Sequence, residues 1–331
     1  MKRRDLLLVA PGFIASVYPP ALFAQTQKKG ITVIGWLNVD SQKEFGHLLT
    51  AFKNGMESRG RKYGVDYIIE ERWAEGRRGQ LEALALDLAN KKPAVIVAAP
   101  GNAVRAAVIS APTVPIVQAS GWGPVPSGVA KSLAKPGGMV TGLTNFGEVS
   151  NKFLEILLDT VPTARRVGIF VDASDRNGVT YRESVETIRR WKEIFRIETV
   201  VAEVDSAEQI TDAIARLAKD RVQALVVMPS STFPSASQLI VNAALKHRWP
   251  TVTGRDEYAE AGALLSYGAD REQLYQRAAY YVDRILKGAK PSDLPIEQPT
   301  TFELVVNLKT AKALGITVPQ SILVRADRVI K

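Results

Sequence analysis

Residues 31–60 read ITVIGWLNVDSQKEFGHLLTAFKNGMESRG, and this stretch decides the fold. Residues 31–37 are a short, apolar, β-branched run, the pattern of a buried strand. Residues 44–59 then carry Phe45, Leu48, Leu49, Phe52 and Met56 at helical spacing and stop at Gly60. The same alternation continues outward. Residues 65–73 return as a strand, 80–90 as a Leu/Ala helix ending before Pro93, 94–98 as a strand, 102–110 as a helix and 115–118 as a strand. A strand–helix series of this kind predicts a parallel sheet with helices on both faces.

A Gly/Pro-rich stretch, residues 121–142, follows and reads as a long turn and a crossing segment. The series then restarts. Helices are expected at 149–158, 181–194, 210–218 and 235–246, with strands at 166–171, 198–204, 224–228 and 251–253. A strand at 263–266 leads into a helix at 271–287; after the Pro-rich 291–299 come a strand at 302–306, a helix at 308–314 and a short tail. The expected fold class is α/β, with two doubly wound parallel-sheet lobes in tandem. Ligands of such sheets bind beyond the carboxyl ends of the strands, so the natural site is a cleft between the two units.

The composition fits this reading and removes other function classes. The 331 residues are 46% hydrophobic and 23% charged, proportions of a globular protein with about two domains. There is no Cys, hence no disulfide, thiol nucleophile or Cys-ligated metal. The two His, His47 and His247, read as structural side chains, and neither metal nor cofactor is expected. The net charge of +9 comes from basic residues scattered among acidic ones on the predicted helices, which reads as a solvated surface and not a nucleic-acid face. Residues 1–24 read as an export signal: Lys2, Arg3 and Arg4 precede an apolar run broken by prolines, ending at the small Ala24. The Arg3-Arg4 pair leaves both Sec and twin-arginine export open. No Cys follows to carry a lipid anchor, and no later window is apolar enough to span a bilayer.

Catalytic motifs are missing. No G-x-G-x-x-G follows the first strand, Gly123 and Gly128 have P-loop spacing but Val129-Ala130 follow them, and no G-x-S-x-G elbow occurs. The expectation is a protein that is not an enzyme. Binding candidates lie in the loops after the strands. In the first unit these are Asn38, Asp40 and Ser41, then Gly101 and Asn102 opening a helix, then Ser120, Gly121 and Trp122. In the second they are Asp172, Ser174, Arg176 and Asn177, then Ser230, Ser231 and Thr232, then Arg255, Asp256 and Tyr258. Each small polar residue could equally be a plain helix cap; their recurrence at every such loop points to ligand.

Four segments carry a family resemblance: LAKPGGMVTG (133–142), LSYG (265–268), AYYVDRILKG (279–288), and LPIEQPT (294–300) followed by FELVVNLKTA (302–311). Together these resemble the substrate-binding proteins of ABC transporters, in the group that includes tryptophan-binding members. The resemblance implies a type I periplasmic-binding fold with three crossing segments, near 142–147, 267–270 and 297–302. Lobe 1 is then 25–145 plus 268–297, and lobe 2 is 146–267 plus 298–331. Tyr267 falls at a hinge, either stacking on ligand or simply packing. One departure is Gly123-Pro124, where family members often carry Asp before the Pro. The implied function is a periplasmic, monomeric solute-binding component of an importer with a membrane permease as partner; an exported sensor feeding a receptor is the alternative. The expected solute is an amino acid or a similar zwitterion. Helix N-termini near Gly101 and Ser231 would hold its carboxylate, and Asp172 or Asp256 its ammonium. Trp36, Trp122, Tyr258 and Tyr267 are the aromatic candidates, while Arg255 points instead to an acidic ligand.

Overall fold

The computed structural model describes residues 30–121, 123–145, 149–230 and 232–331. The predicted export signal, Trp122 and Ser231 lie outside them. The first sheet contains β1 (Thr32–Asn38), β2 (Tyr67–Trp73), β3 (Val95–Ala99), β4 (Ile116–Gln118), β5 (Val140–Leu143) and, from late in the chain, β11 (Ile296–Glu297). Its order is β11-β5-β4-β3-β1-β2, parallel throughout. The second sheet contains β6 (Arg166–Asp172), β7 (Glu198–Val204), β8 (Ala224–Val227), β9 (Thr251–Thr253), β10 (Leu265–Ala269), β12 (Phe302–Asn307) and β13 (Arg328–Ile330). Its order is β13-β12-β10-β9-β8-β6-β7, with only the β10–β12 pair antiparallel. Both sheets thus begin with one winding, second strand, first, third, fourth, fifth, which is a doubly wound order. The two-sheet α/β expectation is met.

Local chemistry accounts for the elements. Helix α1 (Gln42–Glu57) starts at Ser41, whose side chain accepts a hydrogen bond from the Glu44 backbone at 3.3 Å while Glu44 reaches back to the Ser41 hydroxyl at 3.0 Å. The first bond satisfies a backbone donor that the helix start leaves open, and the second, donated by the Ser41 hydroxyl to the Glu44 carboxylate, holds the cap in place. Alternation along β1 divides the burial: Ile34 and Trp36 join the core beneath α1 and α9 (Arg271–Leu286), while Leu37 joins the one beneath α2 (Leu81–Asn90) and α3 (Gly101–Ser110). In the second sheet Ile169 and Val171 pack under α4 (Val149–Thr160) and α5 (Val179–Ile194). Phe170 faces α6 (Ile210–Lys219) and α7 (Ser237–Lys246) on the other side.

The structure corrects three readings. The stretch expected to be turn and crossing contains β5, wedged between β4 and β11. Its Gly142 has φ +119°, and a Cβ there would lie 2.2 Å from the Gln118 carbonyl oxygen. A glycine within it and the lack of a long apolar run hid this strand. The loop expected after β9 is a short helix, α8 (Asp256–Ala261). The tail holds α10 (Leu308–Leu314, as expected), then α11 (Gln320–Arg325) and β13, both too short for a periodic pattern. The chain passes between sheets after β5, between β10 and α9, and between β11 and β12. Helix α9 follows a strand of the second sheet yet packs on α1 of the first.

Candidate functional site

A cavity of about 670 Å³ lies at the carboxyl ends of the strands and is lined from both sheets. The first contributes Gly101, Asn102 and Arg105 of α3, with Gln118 at the end of β4 and Ser120 and Gly121 beyond it. The second contributes Asp172 at the end of β6, Ser174, Asp175 and Asn177 beyond it, and Ser230 beyond β8. Phe153 of α4, Tyr258 of α8 and the turn Thr253-Gly254-Arg255 complete the deeper wall. Gly268 of β10 belongs to it too, and a Cβ there would stand 2.2 Å from the Gly254 carbonyl oxygen.

Asp172, at the end of β6, is the most heavily engaged group. It is 7% exposed. One carboxylate oxygen accepts from Arg78 Nη2 at 2.5 Å, Ser230 Oγ at 2.6 Å and Thr232 Oγ1 at 3.0 Å. The other accepts from the Ser174 amide at 3.1 Å and its hydroxyl at 2.5 Å. Burial by itself would raise this carboxyl, but the Arg78 guanidinium and the hydroxyl donors outweigh it and hold it below the usual carboxylate range. Arg78 starts the 3₁₀ turn after β2 and so reaches from the first sheet's side to the second. It also contacts the Ser174 hydroxyl and donates to Thr232 Oγ1 at 2.6 Å.

A second charged group answers it from the opposite direction. Arg255, beyond β9, lies 3.6 Å from Asp40 Oδ2, beyond β1 of the first sheet. Arg271, the first residue of α9, is also 3.6 Å from that oxygen and pairs with Glu257 of α8. Both guanidinium groups stand over the Phe45 ring, 5.7 and 4.9 Å from its centre. Burial and the neighbouring Glu257 carboxylate push Asp256 up to about 6. Glu257, whose own burial opposes ionisation, is held down by Arg271 and Arg255.

Of the residues singled out in the sequence, Gly101, Asn102, Ser120, Asp172, Asn177, Ser230 and Tyr258 line the cavity, as does Arg255. Four do not. Asn38 is 1% exposed and serves the fold, its Oδ1 accepting the Asp40 amide at 2.9 Å and its Nδ2 reaching the Tyr275 hydroxyl at 3.4 Å. Thr232 stands behind Asp172, and Asp256 pairs with Arg328 at 2.8 Å. Tyr267 packs on Phe302, ring centres 5.9 Å apart. Trp36 is core, 1% exposed against Phe52, Trp73 and Tyr275. His47 bonds the Glu44 carbonyl at 3.1 Å, and His247 stacks on Trp249 at 4.7 Å. Sequence reasoning missed Arg78, Phe153, Asn145 and Tyr181 as wall residues. Arg78 carries a signal in hindsight, a charged residue in the loop directly after a parallel strand. Phe153 sits on a helix and reads only as core.

Among the described residues no cluster of His, Asp or Glu could hold a metal ion, and no helix is long and apolar enough to cross a membrane. Comparison with known proteins agrees with this architecture. The family model described as ABC transporter substrate binding protein matches residues 31–330. A tyrosine-binding protein of Clostridioides difficile (strain R20291) is 24% identical over 263 residues, 80% of this chain and 75% of that one. A crystal structure of an ABC domain in complex with L-Trp from Streptococcus pneumonia superposes with a TM-score of 0.83 at 24% identity, covering 91% of this chain and all of the other. A conserved domain protein of Vibrio cholerae gives 0.83 at 23%, covering 90% and 99%. The fold is thus the two-sheet, type I periplasmic-binding arrangement, and the chain belongs to the family of ABC transporter substrate-binding proteins.

Proposed function

We propose that this protein is the extracytoplasmic solute-binding component of an ABC importer, taking one small organic solute between its two lobes and delivering it unaltered to a membrane permease. The observation that supports this most is the cavity of about 670 Å³ walled by strand ends of both sheets. That volume suits a molecule of amino-acid size. The names of two relatives point the same way, one binding tyrosine and one holding L-Trp. The lobes are residues 25–145 with 268–297, and 146–267 with 298–331, turning on the three passages between sheets. A solute with contacts on both lobes favours the closed arrangement by its higher affinity for it. Residues 1–24 are the export signal, the exported chain acts as a monomer, and it uses no cofactor, metal or nucleic acid.

The test is a melting-temperature screen of the exported protein against amino acids, small acids and aromatic metabolites. A solute at about 100 times its Kd stabilises by roughly 2.7 kcal/mol. Small-angle scattering then checks closure, and the radius of gyration is expected to fall on saturation. A solute that binds without compaction, or is chemically converted by pure protein, refutes the proposal.

A further inference from the structure

Resting on the proposed solute cleft, we infer that the solute is a carboxylate without an α-ammonium group, an apolar or aromatic acid held by Arg255, and not an amino acid. The wall contains five arginines, Arg78, Arg105, Arg182, Arg255 and Arg271, against two carboxylates, Asp172 and Asp175. Both carboxylates are already opposed by a guanidinium from the other sheet's side. Arg78 lies 2.5 Å from Asp172, and Arg105 3.8 Å from Asp175. Asp172 accepts five hydrogen bonds, while a carboxylate offers about four lone-pair directions, so it has none left for an ammonium. Asp175 is half-exposed at the rim. Asp256, the other acidic candidate, is turned to Arg328 and does not line the cavity. An ammonium brought here would lose its water without meeting an unopposed carboxylate in the cavity wall; the buried Asp40 and the largely buried Glu257 lie outside that wall and already face Arg255 and Arg271.

The donor side is the reverse. Arg255 lines the cavity with its side chain 20% exposed, and its guanidinium donates no hydrogen bond within the described chain. Its Nη1 is fully buried and without a hydrogen-bond partner; the nearest carboxylate oxygen, on Asp40, stays at 3.6 Å. Its Nη1 edge faces Asp40 and its plane lies over Phe45, but the guanidinium makes no hydrogen bond, and a planar fork in that state is matched by a solute carboxylate. One part of the wall suits an apolar body, where Phe153, Val149, Val179 and Met228 line it; polar side chains such as Gln118, Asn145 and Asn177 line the remainder.

Paired ligands test this directly, because each pair differs only by the amino group. Isothermal titration compares L-tyrosine with 3-(4-hydroxyphenyl)propanoate, L-tryptophan with indole-3-propanoate, and L-leucine with 4-methylpentanoate. The acid of at least one pair is expected to bind about tenfold or more tightly than its amino acid. Arg255→Gln should weaken that acid by about tenfold, and Arg255→Lys, which keeps the charge but not the fork, should recover only part. Circular dichroism confirms that the variants fold, and the ligand ranking on unaltered protein does not depend on them. Amino acids binding as tightly as their acids overturn the inference and leave the solute cleft standing. Acid affinity unchanged in Arg255→Gln overturns the role given to Arg255. If no member of any pair binds, the inference fails; if no compound of the wider screen binds either, the proposed function fails with it.

Discussion

Asp172 and Arg78 join the two halves of the cavity, and removing either should show it. Asp172→Ala leaves the Arg78 guanidinium and three hydroxyls without their shared acceptor. Breaking a buried charge pair costs about 3–5 kcal/mol, and because Arg78 remains a quarter exposed the lower end applies, about 3 kcal/mol. Arg78→Ala leaves Asp172 with its hydroxyl and amide donors and should cost less, about 1–2 kcal/mol. In the double variant the orphaned partner is gone, so the losses should not add. The expected coupling is about 1.5 kcal/mol, the scale of a hydrogen bond to a charged group. Urea denaturation of the four proteins, followed by tryptophan fluorescence, measures it. Repeating the cycle at high salt discriminates further, since a contact at 2.5 Å survives a Debye length shortened to about 3 Å in 1 M salt. Additivity within about 0.5 kcal/mol would refute the assignment of Arg78 as the partner that holds Asp172.

Three further outcomes follow from the same geometry. Asp172 titrates below the ordinary carboxylate range when folded, so its stabilisation is present above the unfolded value and is lost as pH falls through the folded one; the stability gap between the parent protein and Asp172→Asn should shrink as pH falls below about 4, and a gap that widens there contradicts the assignment. Gly142→Ala must place a Cβ where the Gln118 carbonyl oxygen stands, at a φ of +119° that side chains avoid; a loss of about 3 kcal/mol or more is expected, read as a lower melting temperature, and an unchanged melt would disprove the close approach. Tyr267→Ala removes the contact with Phe302 and no part of the cavity wall, so stability should fall by about 2 kcal/mol while solute affinity changes less than about threefold; a larger affinity loss would return Tyr267 to the site.

The family resemblance and the residue pattern led to the same architecture by separate routes, but they differ in what they say about ligand. Motifs such as LPIEQPT build the passage and turn into β11, where Thr141 Oγ1 donates to the Leu294 carbonyl oxygen at 2.8 Å. They maintain the frame. Of the wall they supply the backbone of Gly268, while its polar and charged side chains, Arg78, Asn177, Ser230 and Arg255, lie outside those motifs. Membership of the family is therefore compatible with a solute unlike that of a tyrosine- or tryptophan-binding relative.

Sequence alone determined that this chain alternates strand and helix, that it does so twice, and that its polar loop residues gather where strands end. Those are local properties: spacing of apolar side chains, β-branched runs, glycine and proline stops. It placed Asp172, Ser230 and Arg255 as candidates because each follows a predicted strand. It could not say that Asp172 faces an arginine 94 positions earlier, that Asp256 turns away to Arg328, or that Tyr267 packs on Phe302. Nor could it see β5, whose four residues, one of them a glycine, carry no periodic signal, although it fills the space between two other strands. Partners and sheet positions are set by how whole elements stack, and a side chain's charge balance in the cavity depends on residues brought together from both sheets. Only the tertiary structure contains that information, because hydrogen bonds and ion pairs act over a few ångströms of space and not along the chain.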